Sequence, residues 1–195
     1  MERRGFIRSA LTAGLVASPL GAALGAARTL PKTPSDYEGP YYPVGPRHQT
    51  NDLVIGTPRQ AIFNFAGRVV SVNGEPRAAV LVDIWHTDPL GRYRHPRDSA
   101  PGERWEDFLY YGEAVTDTDG QFHFRTYLPG AYGRRPAHIH YKVWQDKREL
   151  LTSQVYFSQT GGTRGASQNA SKADLQTIQL DSVDDAINGF IRVVL

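Results

Sequence analysis

Cysteine is absent from all 195 residues. Its absence removes disulfides, thiolate metal ligands and cysteine nucleophiles from consideration. Helical periodicity is scarce, internal repeats are missing, and no Gly-rich loop lies between a strand and a helix where a nucleotide phosphate would be cradled. Excess charge is lacking as well. The formal net charge is +2, and three of the 22 basic residues (Arg3, Arg4, Arg8) and one of the 20 acidic residues (Glu2) precede Arg28, so 19 of each sign remain from Arg28 onward. That balance makes no case for a polyanionic partner, and no nucleic acid is expected. Aromatic and turn-forming residues are plentiful, with 10 Tyr, 8 Phe, 19 Gly and 13 Pro, as suits short strands joined by tight turns.

The first segment reads as an address. Arg3-Arg4-Gly5-Phe6-Ile7-Arg8 leads into an Ala/Gly/Leu-rich run that ends in Gly25-Ala26-Ala27, the charged, apolar and small-residue regions of a signal segment. Paired arginines before Gly-Phe-Ile resemble a twin-arginine export signal. The abundance of Ala and Gly, with Pro19 inside the run, makes it a poor membrane span. Residues 1–27 are therefore expected to direct export, leaving a periplasmic or secreted protein that makes no membrane contact afterwards. Residues 28–58 read as an extended, Pro-rich arm. Its stretch Glu38-Gly39-Pro40-Tyr41-Tyr42-Pro43 either covers a sheet edge or walls a pocket for a flat ligand.

Residues 59–195 carry the strand pattern. Runs at 62–72 and 78–85 flank Asn73-Gly74, a strong two-residue hairpin signal. A second hairpin is expected from 114–116 to 121–126 through Asp117-Thr118-Asp119-Gly120. Further strands are expected at 137–144, 150–157 and 189–195, with a loop over 158–172 and a short helical turn near 173–178. The fold class this predicts is all-β, an antiparallel β-sandwich with an irregular N-terminal arm.

Chemistry concentrates in Tyr132-Gly133-Arg134-Arg135-Pro136-Ala137-His138-Ile139-His140. Residues i and i+2 of a strand share a face, so His138 and His140 aim both imidazoles one way while Ile139 faces a core. Alone, the pair is equally well the polar side of an amphipathic strand. A second loop, Ile84 to His95, carries Tyr93 two residues past Gly91, much as Tyr132 follows Pro129-Gly130. Two loop tyrosines and two strand histidines make four candidate metal ligands, although each tyrosine taken singly suits an ordinary hydrogen-bonded site. Alternatively, His138, His140 and Asp88 would hold zinc for a hydrolase, which leaves both tyrosines unexplained. A transthyretin-like module that binds without catalysis is a third reading of the same sandwich pattern.

Gly-x-Tyr at Tyr93, Thr-Asp-x-Asp-Gly at 116–120, Phe-Arg-Thr at 124–126, Pro-Gly-x-Tyr at Tyr132 and Arg-Pro-Ala-His-Ile-His at 135–140 occur in an order that resembles the intradiol ring-cleavage dioxygenases. Glu38-Gly39-Pro40, Ile84-Trp85-His86 and Gln154-Val155-Tyr156-Phe157 extend the resemblance over roughly residues 33–157. It implies a non-haem Fe(III) held by Tyr93, Tyr132, His138 and His140, a set of hard phenolate and imidazole donors that favours ferric iron. It implies insertion of O2 into a catechol-type aromatic to give a cis,cis-muconate type of dicarboxylate. Tyr132 would leave the metal and take up a proton, Arg135 would stabilise charge on the substrate, and Gln154 would lie near the oxygen side. His86 is expected to be a structural imidazole, and His48, His95 and His123 to be non-ligands. The short Tyr132 to His138 spacing points to a compact exported subgroup with an open pocket, for which Tyr41, Tyr42, Pro89 and Leu90 are candidate walls. The partners implied are a small catechol-type molecule and O2, with homo-oligomerisation left open.

Overall fold

The computed structural model describes residues 29–158 and 173–195. The expected signal segment at 1–27, and the expected loop from residue 159 to 172, lie outside the described residues. Among the described residues nine strands form two packed sheets: β1 (Phe63–Val70), β2 (Leu81–Trp85), β3 (Tyr111–Val115), β4 (Gln121–Thr126), β5 (His138–Gln145), β6 (Arg148–Phe157), β7 (Thr177–Ile178), β8 (Leu180–Val183) and β9 (Ala186–Val194). One sheet runs β4-β1-β9-β8 and the other β3-β2-β5-β6-β7. The all-β sandwich is as expected. Its sheets are mixed, because β9 joins β1 and β7 joins β6 in parallel while the other pairs are antiparallel.

Period-2 alternation builds the core. Phe63 and Phe65 from one sheet meet Ile84, Ile139, Val143 and Phe157 from the other, none more than 1 % exposed. Burial of each such side chain contributes about 1.5–3 kcal/mol, so the inner faces fix the register of the outer ones. Ile139 points into this core, which commits His138 and His140 to the outer face of the five-stranded sheet.

Both expected hairpins are corrected. The Asn73-Gly74 turn does reverse the chain, with Gly74 N–H donating to Ser71 O and Ser71 N–H to Glu75 O. Pairing with β1 stops after the Val70–Pro76 bridge, and β2 joins the opposite sheet. The Asp117 to Gly120 turn likewise carries the chain from β3 in one sheet to β4 in the other. A turn signal reports local reversal and not the sheet that the next strand joins. Each of these strands buries an inner face, and opposed inner faces satisfy both. True two-residue hairpins occur at Asp146-Lys147 (φ 50° and 66°) and Asp184-Asp185 (φ 49° and 62°), with positive φ at both central residues as the strand twist requires. The expected helical turn near 173–178 is confined to 173–176, closed by Gln176 N–H on Ala173 O, and β7 follows at once.

The arm covers a sheet edge, one of the two roles its sequence suggested. Asp36 N–H donates to Thr152 O and Ser153 Oγ to Pro34 O, sealing the flank of β6. It then crosses the outer face, where Tyr42 packs edge-on to Trp85 at 4.7 Å between centroids.

Candidate metal centre

Strand register assembles the floor of the site. His140 stands opposite Trp85 on β2 and Gln154 on β6, and His138 stands opposite Tyr156. Facing residues on neighbouring strands share a face, so these side chains form one patch under the arm. Trp85 stacks flat on His140, with centroids 4.9 Å apart and planes 10° off parallel. The two Nε2 atoms of His138 and His140 face each other at 3.1 Å. His138 Nδ1 lies 2.6 Å from Pro136 O; only its N–H form can bond there, which leaves the His138 Nε2 lone pair aimed at His140.

Two loops bring in the tyrosines. Thr87 Oγ1 donates to Gly130 O and Gly130 N–H to Asp88 O. A side chain at 130 would place its Cβ 2.4 Å from Pro89 O, so only glycine lets the loops close this tightly. Their closure sets the Tyr93 and Tyr132 rings 5.2 Å apart and nearly perpendicular, with Tyr132 5.4 Å from His138 and Tyr93 6.4 Å from His140. Tyr93 N–H is held by Asp98 at 2.6 Å. Tyr132 and Arg135 exchange backbone hydrogen bonds across the turn Gly133-Arg134, as in a two-residue hairpin with positive φ at its first central position.

That turn delivers Arg135. Its Nη2 donates to Gln154 Oε1 at 2.6 Å and to Tyr156 Oη at 2.8 Å. Gln154 in turn donates to Tyr37 O of the arm. Arg134 is exposed.

Burial dominates the electrostatics. It lowers His138 to about 4, the Arg135 charge adding to the effect and the Pro136 bond opposing it. His140 falls well below its usual 6.5 through burial and then the charges of His138 and Arg135. Burial raises the Tyr93 phenol well above 10, with Tyr132 adding to the shift and Arg135 opposing it; Tyr132 is also raised by burial, against Arg135. Both imidazoles are therefore neutral donors. Among the described residues, six buried side-chain polar atoms have no hydrogen-bond partner, and Trp85 Nε1, Tyr93 Oη and His140 Nδ1 are three of them.

These donors fit a ferric ion. Two nitrogens each about 2.1 Å from one ion sit about 3 Å apart at a right angle, which the Nε2 separation matches. A cation is also what makes a phenolate tolerable in such a buried site. Asp88 is committed elsewhere: its carboxylate accepts from Leu90 N, Arg92 N, Arg92 Nε and Tyr110 Oη. Among the described residues no three His, Asp or Glu side chains form a metal cluster, so the zinc reading lacks its third ligand.

Of the candidate walls, Tyr41 lies 4.5 Å from Tyr93 and 5.8 Å from Tyr132 between centroids. Tyr42 turns its hydroxyl to Asp83 at 2.8 Å. Pro89 is half-buried, and Leu90 is 66 % exposed. His86 is structural, bonded to Thr87 O and Thr126 Oγ1. His123 bonds Asn51 on the exposed side of β4, and His95 touches only the edge of the cluster through Tyr41 at 5.6 Å. Sequence reasoning assigned no role to Tyr156, Asp83 or Trp85. The period of two does place Tyr156 on the same face of its strand as Gln154, but that period alone does not put it opposite His138. A surface cleft of about 1020 Å³ shares no residue with this cluster, and three of its four guanidinium groups are ion-paired to Asp88, Asp98 and Asp107.

The buried imidazoles make acid destabilising. His86 has a pKa near 4 through burial. In the metal-free protein the unfolded chain takes up protons as pH falls below 6.5 while folded His86 does not. At about 1.4 kcal/mol per unit, His86 alone loses of order 3 kcal/mol by pH 4, and His138 and His140 add to it. Asp83, raised to about 6 by burial against the bonds from Tyr42, Trp144 and Lys142, acts the other way. Its contribution favours folding below the ordinary carboxylate range and is lost as pH rises through 6. Three imidazoles outweigh one carboxyl, so the urea midpoint of metal-free protein should fall steadily from pH 6.5 to 4. A flat or rising midpoint would contradict these burials.

Two histidines and two tyrosines gathered on the outer face of a two-sheet β-sandwich make a candidate metal centre. The family model described as Dioxygenase matches residues 37–164. The chain belongs to that family, the intradiol ring-cleavage dioxygenases. It is 35 % identical over 109 residues to a chlorocatechol 1,2-dioxygenase of Pseudomonas putida, covering 47 % of this chain and 40 % of that protein. It is 35 % identical over 115 residues to a protocatechuate 3,4-dioxygenase beta chain of Burkholderia cepacia, covering 55 % and 49 %. The chain thus spans less than half the length of these curated relatives. Its fold superposes on the dioxygenase domain of a dioxygenase carbohydrate-binding protein fusion from Streptomyces sp. SirexAA-E with TM-score 0.69 and 28 % identity, covering 85 % of this chain and 98 % of that one.

Proposed function

We propose that this protein is a non-haem Fe(III) intradiol dioxygenase that opens a catechol-type ring with O2. The observation that carries the reading is the packing of the Tyr93, Tyr132, His138 and His140 rings against one another, with two imidazole nitrogens 3.1 Å apart. Ferric iron, when bound, would supply Lewis acidity that withdraws electron density from a chelated catecholate and opens it to O2.

The chain's own residues do the rest. His138 and His140 would hold the ion as neutral donors, their rings fixed by Pro136 O and by the Trp85 stack. Tyr93, buried and with its N–H bonded to Asp98, would be the tyrosine that stays on the ion. Tyr132 is half-exposed on its short turn, so its Oη can accept a proton from the incoming catechol. Arg135, held by Gln154 and Tyr156, meets negative charge growing on the substrate oxygens. Tyr41 offers an aromatic wall against which a flat ring packs. In the net reaction the bond between the two hydroxylated carbons breaks and both atoms of O2 enter the product, giving a cis,cis-muconate type of dicarboxylate with no external reductant. Residues 1–27, with Arg3-Arg4 before an apolar run, would export the folded protein to the periplasm or medium by the twin-arginine route.

Protein loaded with iron in air should consume one O2 per catechol and yield the ring-opened dicarboxylate. Oxygen uptake no faster than that of free iron, with catechol recovered intact, would defeat the proposal.

A further inference from the structure

Beyond the four donors, the outer sheet face carries a second row of polar side chains. Asp83 and Lys142 are register partners on β2 and β5, one step along from the Trp85–His140 pair. Asp83 is completely buried. Its carboxylate accepts from Tyr42 Oη at 2.8 Å, Trp144 Nε1 at 3.1 Å and Lys142 N at 3.1 Å, with Tyr111 Oη farther off at 3.4 Å. Lys142 Nζ reaches Glu38 and Glu149, each at 2.6 Å, and lies 4.8 Å from the centre of the Tyr42 ring. Glu38 and Tyr42 both belong to the arm. The pair thus grips the arm at two points four residues apart.

What lies between those grips bears on the metal site. Gly39 has φ 77°, and a Cβ there would come within 3.1 Å of His140 Cε1, so the arm backbone rests on the imidazole. Tyr41 lies against Tyr93 and Tyr132. A buried carboxylate is costly unless fully bonded, and of the bonds to Asp83 only the one from Tyr42 reaches into the arm.

We infer that Asp83 is a positioning residue for the dioxygenase site. Through Tyr42, and with Lys142 gripping Glu38, it seats the arm so that Gly39 backs His140 and Tyr41 walls the substrate side. Losing the grip lets Tyr41 swing from the tyrosine pair, which weakens catechol binding and loosens the ligand geometry. This inference rests on the proposed function.

The deciding variant is Asp83→Asn, which keeps the shape and leaves the Tyr42 hydroxyl, the acceptor from Arg47 Nη1, in place; Tyr42→Phe, which keeps the ring on Trp85 and deletes that hydroxyl, accompanies it. Trypsin cleavage after Arg47 in metal-free protein should be at least tenfold faster in both variants. In ferric protein the KM for catechol should rise about tenfold with kcat changed less than threefold, and the visible tyrosinate band should shift. Cleavage of Asp83→Asn at the wild-type rate would overturn the grip. Faster cleavage with unchanged KM and colour would reduce Asp83 to a structural residue and overturn its positioning role. Because cleavage is read without metal, it judges the grip separately from the ferric reading, which a colourless and inactive wild type would sink on its own.

Discussion

His140→Ala is expected to abolish stable iron uptake and with it at least a thousandfold of catechol turnover. Changing a group that merely orients a ligand typically costs 10- to 100-fold in metal affinity or activity; removing the ligand itself should cost more. His140 is also heavily engaged, stacked on Trp85, facing His138 Nε2 and backed by Gly39. Deleting its ring removes a donor and opens a gap in which His138 and the arm can shift. The fold should survive, because His140 projects away from the sandwich core and Ile139 beside it stays in place. Iron per chain by elemental analysis, together with far-ultraviolet circular dichroism, separates loss of metal from loss of structure. Full iron content in a folded variant would remove His140 from the site.

Arg135→Ala should bind iron normally and lose about 10²–10³ in kcat, the usual effect of deleting one preorganised donor to developing negative charge. Arg135 is held from behind by Gln154 Oε1 and Tyr156 Oη, which sets its guanidinium beside Tyr132 on the proposed substrate side. Arg135→Lys should recover only part of the loss, since a single ammonium lacks the planar fork that grips both partners and still presents donors. Steady-state kinetics on iron-replete protein are the check. An unchanged kcat in Arg135→Ala would make this residue a structural tie and nothing more.

The site was legible where its chemistry is local. His-Ile-His reports its own geometry through the period of two, and Tyr93 and Tyr132 each follow a glycine turn that the structure uses to bring the loops together. What pairing decides was not legible. Nothing local says that Tyr156 will face His138, because that depends on the Asp146-Lys147 turn fixing register. Asn73-Gly74 misled for the same reason: it encodes a reversal, and the burial of Val82 and Ile84 opposite Phe63 and Phe65 decides that the chain crosses sheets. Asp83 read as the polar half of an alternating strand. Its burial follows from an arm 40 residues away in sequence, a non-local contact that periodicity does not carry.

The visible absorption of the iron-loaded protein tests the central claim most directly. Two phenolates on a ferric ion absorb visible light by charge transfer, so protein containing one iron per chain should be strongly coloured. The band should weaken in Tyr93→Phe and shift when catechol is added without O2. Protein that holds one iron per chain and is colourless would show that neither tyrosine binds the metal, and would contradict the site built from Tyr93, Tyr132, His138 and His140.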